Sequence, residues 1–132
     1  MKRILDFYVN LLYNKKARFC IKFQEVIYMK LKGQRSLEQV SSSLDNIEAL
    51  DSKLVEYGNV FKQFLYEDEH NYIAILFVGP QSKIKEHEHL NDNEKYEDLD
   101  SHVEETCKIG ESHFLENEST DKWLVVKAHK FW

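Results

Sequence analysis

His87 and His89 are separated by one residue. On a β-strand that spacing sends both side chains off the same face, where two imidazoles can converge on one ion. Glu94 follows the polar turn 90–93, at a place where an adjacent strand can begin and offer a carboxylate to the same point. His113 lies beyond Gly110, on a further strand. Three imidazoles and one carboxylate make a mixed nitrogen and oxygen donor set suited to Fe(II), Mn(II), Ni(II), Zn(II) or Cu(II), with positions left for water or substrate. A His-x-His pair alone is weak ground, because in an acidic stretch it is more often two solvated imidazoles. The weight therefore falls on the elements that bring Glu94 and His113 to the pair.

From residue 58 onward the chain has the rhythm of an all-β fold. An aromatic and β-branched run at 60–66, a polar turn and a second apolar run at 72–78 read as a hairpin, which Gly79-Pro80 ends. Short strands are expected at 84–89, 94–99, 102–107, 113–116 and 123–131. Upstream, Leu37, Val40, Leu44, Ile47 and Leu50 recur three or four apart, predicting an amphipathic helix over about 36–50. Ser36 and Gln39 fit a capping box at its start. The serines at 41–43 have low helix propensity and are expected to fray or bend it. Its apolar stripe must be buried across the barrel or against a second copy. The stretch 4–13 reads as helix or strand, and Phe19, Ile21 and Phe23 alternate as in a half-buried strand. Met29 leaves open whether residues 1–28 are an added element or an over-extended start.

Gly110-Glu111-Ser112-His113-Phe114-Leu115-Glu116-Asn117 carries the Gly-x-x-His-x-x-x-Asn pattern of the second cupin motif, and 79–94, with His87-x-His89 and Glu94, resembles the first. Over residues 55–132, order, spacing and flanking strands together resemble a small single-domain cupin. The resemblance implies a mainly β jelly-roll barrel, a double-stranded β-helix, preceded by an N-terminal segment (1–54) with the helix. It also implies that His87, His89, Glu94 and His113 bind one divalent metal inside the barrel, with Gly110 forming the turn into the strand of His113. The chain departs from the family pattern in places. The first motif's glycine is displaced to Gly79, and Ser101 and Lys108 stand where a glycine and a proline are usual. Only 102–109 separates the motifs, so the barrel is expected to be shortened there and open on one side.

Several neighbours carry alternatives. Glu97 replaces Glu94 as ligand if the strand shifts by an odd number of residues. Tyr96 shares the parity of Glu94 and points inward, as a contact of the site or as core packing. Asn117 shares the parity of His113 and either supports the site or ends its strand. Cys107 reads as a small buried hydrophobe. His70, His102 and His129 have no partner at ligand spacing.

Composition bounds the rest. The chain has 132 residues, 42% hydrophobic and 13% aromatic, enough for one core. With 18 Lys and Arg against 23 Asp and Glu, the net charge of −5 disfavours a nucleic-acid partner. The basic residues Lys2, Arg3, Lys15, Lys16, Arg18, Lys22, Lys30 and Lys32 gather near the start, but the apolar positions there keep no clean face for a membrane. Two cysteines, Cys20 and Cys107, form no disulfide framework, which makes the cytoplasm the expected compartment. The expectation is a metal-binding protein for a small-molecule ligand or substrate, forming a homodimer, either an enzyme or a non-catalytic binding or regulatory module.

Overall fold

The computed structural model of the chain describes residues 2–10 and 20–132. Most of the chain is strand: β1 (Lys2–Asn10), β2 (Cys20–Leu31), β3 (Glu48–Ala49), β4 (Val55–Tyr57), β5 (Val60–Glu67), β6 (Asn71–Val78), β7 (Lys83–Glu88), β8 (Asn93–Asp98), β9 (Glu104–Cys107), β10 (Ser112–Asn117) and β11 (Leu124–Phe131). Among the described residues one helix, α1 (Leu37–Leu44), lies between β2 and β3. One sheet has the order β1-β2-β10-β7-β4, and the other β3-β5-β6-β11-β8-β9. The two face each other as the layers of a cupin-type jelly roll, built on the hairpin and short strands that alternation predicts.

The core follows from the alternation. Met29, Leu31, Ile84 and Leu115 from the first sheet meet Val60, Leu76, Val78, Leu124 and Val126 from the second in one buried cluster. β6 and β11 run antiparallel in the middle of the larger sheet, pairing Leu124 with Val78 and Phe131 with Asn71. β2 enters the smaller sheet parallel to β10, pairing Val26 with Ser112 and Leu31 with Asn117, so the segment before the helix supplies a strand beside His113. The ambiguous N-terminal stretch is strand over Lys2–Asn10, while its end at 11–13 and Phe19 lie outside the described residues.

The helix is shorter than its apolar periodicity predicts. Ser36 and Gln39 close the expected capping box. The helix then ends at Leu44, after the serine run, and Glu48–Ala49 becomes β3 against Phe61 and Lys62 of β5. Ile47 and Leu50 therefore keep their apolar contacts without being helical. The two sides of the chain compete here. Serine hydroxyls weaken the helix from within, and the open edge of β5 offers backbone partners just beyond it. The middle of the stripe is buried on the chain's own barrel, where Val40 packs with Phe77, Trp123 and Val125 on the outer face of the larger sheet, while Leu37 stays exposed. Burying Val40 in this way contributes about 1.5–3 kcal/mol.

Between the two motifs the chain makes only the β8–β9 hairpin. The Asp98 carboxylate accepts from the backbone N–H groups of Asp100 and Ser101 and from the Ser101 hydroxyl, and His102 sits at φ +62. That left-handed residue explains why the strand expected from 102 begins at Glu104. Among the described residues no helix is long and apolar enough to cross a membrane.

Candidate metal centre

His87 stands directly opposite His113 across the antiparallel pair β7–β10. A β-bulge interrupts that pairing: Leu115 faces Ile84 and His113 faces His87, so β7 spends one more residue than β10 between the two points. Without it, period-2 alternation would put His87 on the face opposite to Ile84. The bulge re-aims the strand, and His87 and His89 both turn inward. His89 is tied to the turn before β10 by two backbone bonds, from the Gly110 N–H to the His89 carbonyl and from the His89 N–H to the Glu111 carbonyl. Gly110 adopts φ +88, the conformation a tight turn into β10 requires of it. Glu94 arrives from the opposite sheet on β8, so the cluster bridges the two layers.

One donor atom from each of His87, His89, Glu94 and His113 lies within 4.8 Å of the others. The Nε2 of His113 is 2.9 Å from that of His89 and 3.0 Å from that of His87. Glu94 Oε1 stands 3.1 Å from His113 Nε2, 3.3 Å from His89 Nε2 and 3.8 Å from His87 Nε2. Metal bonds of about 2.1 Å at right angles would set neighbouring donors about 3.0 Å apart, so these spacings fit a single first-row ion.

The outer contacts select the same chemistry. His87 Nδ1 is 2.8 Å from the Lys85 carbonyl, which can only accept, so the proton sits on Nδ1. His89 Nδ1 lies 2.6 Å from Asp92 Oδ1 and donates there. In their neutral forms both rings therefore aim Nε2 lone pairs into a space already holding a carboxylate oxygen, an arrangement that calls for a cation. Tyr96 stacks on His113, with centroids 4.6 Å apart and rings 7° from parallel, and fixes its orientation.

The electrostatics show what replaces the cation when protons are available. Burial pushes the Glu94 carboxyl up, but its contacts with His113, His87 and His89 outweigh this and hold it well below its ordinary range. Burial disfavours the His89 imidazolium, yet Glu94 and Asp92 more than offset that and raise its pKa. For His113 burial wins over Glu94, and its pKa is lowered. Burial first, then Glu94, pushes the Tyr96 phenol well up, so it keeps its proton at neutral pH.

The four ligands expected from sequence come together. Glu97 pairs with Lys127 and faces away from the buried row of Glu94, Tyr96 and Asp98. Asn117 lies at the far end of β10, where its carboxamide accepts from the Gly33 and Ser119 N–H groups and donates to the carbonyls of Val78, Gly79 and Lys122. Cys107 is buried, and His129 bonds Asn71 away from the cluster. Sequence reading missed Asp92, although an acid three residues after a histidine in a turn is a readable signal. It also missed a cavity of about 90 Å³ beside the cluster, which His87, Glu94 and Tyr96 line together with Ala74, Leu76, Ile84 and Ala128.

No family model matches the chain, and no curated protein matches it. Solved structures do resemble it. A predicted oxalate decarboxylase from Thermotoga maritima is 21% identical, with 68% of this chain and 95% of that chain covered, at a TM-score of 0.46. A cupin-2 domain from Rhodospirillum rubrum is 14% identical, covering 66% of this chain and 70% of its own, at 0.47. A cupin domain from Schizosaccharomyces pombe is 7% identical over 100% of this chain and 89% of its own, at 0.41. All three scores lie below 0.5, so the weight rests on the chain's own strand order, its two facing sheets and the histidine segments at one end of them. By that architecture it is a small cupin-fold protein with a three-histidine, one-carboxylate cluster that could hold a metal ion.

Proposed function

We propose that the protein binds one divalent transition-metal ion through His87, His89, Glu94 and His113 and uses it on a small molecule held in the adjoining cavity. The observation that carries this reading is the convergence of the Nε2 lone pairs of His87 and His89 on Glu94 Oε1, with Nδ1 of each ring committed to an acceptor. The bound ion would supply Lewis acidity or a redox centre. The chain's own residues do the remaining work. Asp92 and the Lys85 carbonyl hold the imidazoles in the binding tautomer, and Tyr96 braces His113.

A second reading is a module that holds ligand and metal without turnover. It is favoured by the character of Tyr96, which lines the cavity and keeps its proton at neutral pH, so it does not serve as a base. Elemental analysis of untagged protein beside the His87→Ala/His113→Ala variant tests the metal. Near-stoichiometric Fe, Mn, Ni, Zn or Cu that disappears in the variant is expected. Wild-type protein that takes up none of them, even when each is supplied during refolding, sinks the proposal.

A further inference from the structure

The far wall of the cavity is not aliphatic. Lys130 on β11 pairs with Tyr72 on one side and with Glu94 on the other, and it shares the inward face of Glu94. Lys62 on β5 pairs with the core residue Leu76 and likewise lines the cavity. Their ammonium groups stand over the same ring, at 5.7 Å for Lys130 and 5.4 Å for Lys62 from the Tyr72 centroid.

Neither lysine has a carboxylate within ion-pair distance among the described residues, whereas Lys83 and Lys95 have Glu56 and Glu104. Glu94, the cross-strand neighbour of Lys130, gives its carboxylate to the imidazoles. Two like charges beside one aromatic ring, in a half-buried setting, have no carboxylate within ion-pair distance among the described residues. A cation–π contact recovers only part of what each loses in hydration. An anion placed between them would supply the rest through charge-assisted hydrogen bonds.

We propose that this cavity takes a small organic carboxylate. Its anionic group is held by Lys62 and Lys130 beside Tyr72, its short carbon body lies on Ala74, Leu76 and Ala128, and its other end faces the metal cluster. The volume of about 90 Å³ sets the size. It lies well below the about 300–1,000 Å³ of pockets that enclose drug-sized ligands, which favours an acid of a few carbons. This identification of the ligand class rests on the metal-site reading above.

The test is calorimetric titration of the metal-loaded full chain with propionate, with its neutral isostere propionamide and with inorganic phosphate, alongside a Lys62→Met/Lys130→Met variant. Metal content is measured on every sample. Propionate is expected to bind at least about tenfold more tightly than propionamide, and the double variant to lose at least about tenfold in propionate affinity while keeping its metal. Equal binding of propionamide, tighter binding of phosphate, or propionate affinity unchanged in the variant overturns the carboxylate site and leaves the metal centre standing. A wild-type chain that holds no metal overturns both. Retention of metal by the variant also shows that it has folded.

Discussion

His113 and Asn117 lie four residues apart on β10, share one parity and are both almost wholly buried, at 2% and 0% exposure. They solve the problem of a buried polar group in opposite ways. Asn117 is satisfied by the chain itself, with two backbone N–H groups bonding its oxygen and three carbonyls accepting from its amide nitrogen. His113 is surrounded by groups that accept as readily as it does, two further imidazole nitrogens and a carboxylate oxygen. A self-contained network staples one end of the barrel shut. An incomplete one leaves the other end ready for something from outside. A buried polar cluster is a candidate site when its own chain does not finish it, and burial alone does not separate the two cases.

The largest effect should come from breaking the finished end. Asn117→Ala removes the shared partner of five backbone groups that join β2, the ends of β6 and the loop before β11. The cost should be about 3–5 kcal/mol in denaturant unfolding, with or without metal. Gly33, whose N–H bonds Asn117, sharpens the point. A Cβ there would meet the Trp123 carbonyl carbon at 2.4 Å, so Gly33→Ala should destabilise the same end. Metal affinity of whatever folds should be unaltered. A large loss of metal affinity in the Asn117 variant would show that the two ends of β10 are coupled and break the contrast.

At the other end the expected loss depends on metal. His87 is only partly buried, so His87→Ala should cost little in metal-free protein. In the wild type, metal at a hundredfold excess over its Kd should add about 2.7 kcal/mol of stability, and the variant should lose most of that increment. Thermal melts with and without added Ni(II) measure it. An increment that survives His87→Ala would place the ion elsewhere.

The contrast also explains what could be read from the sequence. The candidate ligand residues are legible because their types and spacing are chemically unusual, and the hairpins because alternation and turn residues are local. The bulge in β7 is not, since only the pairing of Ile84 with Leu115 and of His87 with His113 reveals the extra residue. Strand parity counted from Ile84 would have turned His87 outward. The helix is shorter than its period because the apolar residues at 47 and 50 continue a helical spacing while flanking a strand, a choice made by the edge of β5 together with the weak helix propensity of the serine run. Lys62 and Lys130 are 68 positions apart in sequence. Nothing in either one's local sequence says that both reach over Tyr72.

A smaller effect is expected at Asp92, which touches the cluster only through His89. Asp92→Asn keeps the size of the side chain but can present its amide nitrogen to Nδ1, which would move the ring proton toward Nε2. Metal affinity should fall about 10–100-fold, the range usual for such supporting partners. Stability of the metal-free protein should change little, because Asp92 is partly exposed. Competition with a chelating dye reads the affinity directly. An unchanged value would mean that the backbone turn around Gly110 is enough to hold His89.

The subtlest difference between the two ends is their response to pH. Asn117 does not titrate, while three groups at the cluster do so in different directions. Burial lowers His113 below its ordinary 6.5, so the unfolded chain binds this proton more readily. The corresponding stability is fully present above 6.5 and is lost as pH falls through the lowered value. Glu94, held well below 4.5, gives stability that is present above 4.5 and lost only in stronger acid. His89, raised above 6.5, works the other way, contributing below 6.5 and losing that contribution as pH rises through its folded value. In metal-free protein the two histidine windows lie on opposite sides of 6.5, so stability should peak near that pH, declining above it as His89 loses its proton and below it as the unfolded chain takes up the proton that His113 resists. Metal requires every ring nitrogen it uses to be free of its proton, so the metal-dependent increment should shrink steadily from pH 8 towards pH 5. Melts across that range, with and without metal, separate the two curves. A metal increment that does not change with pH would mean that the ion is held by oxygen donors and not by the histidines.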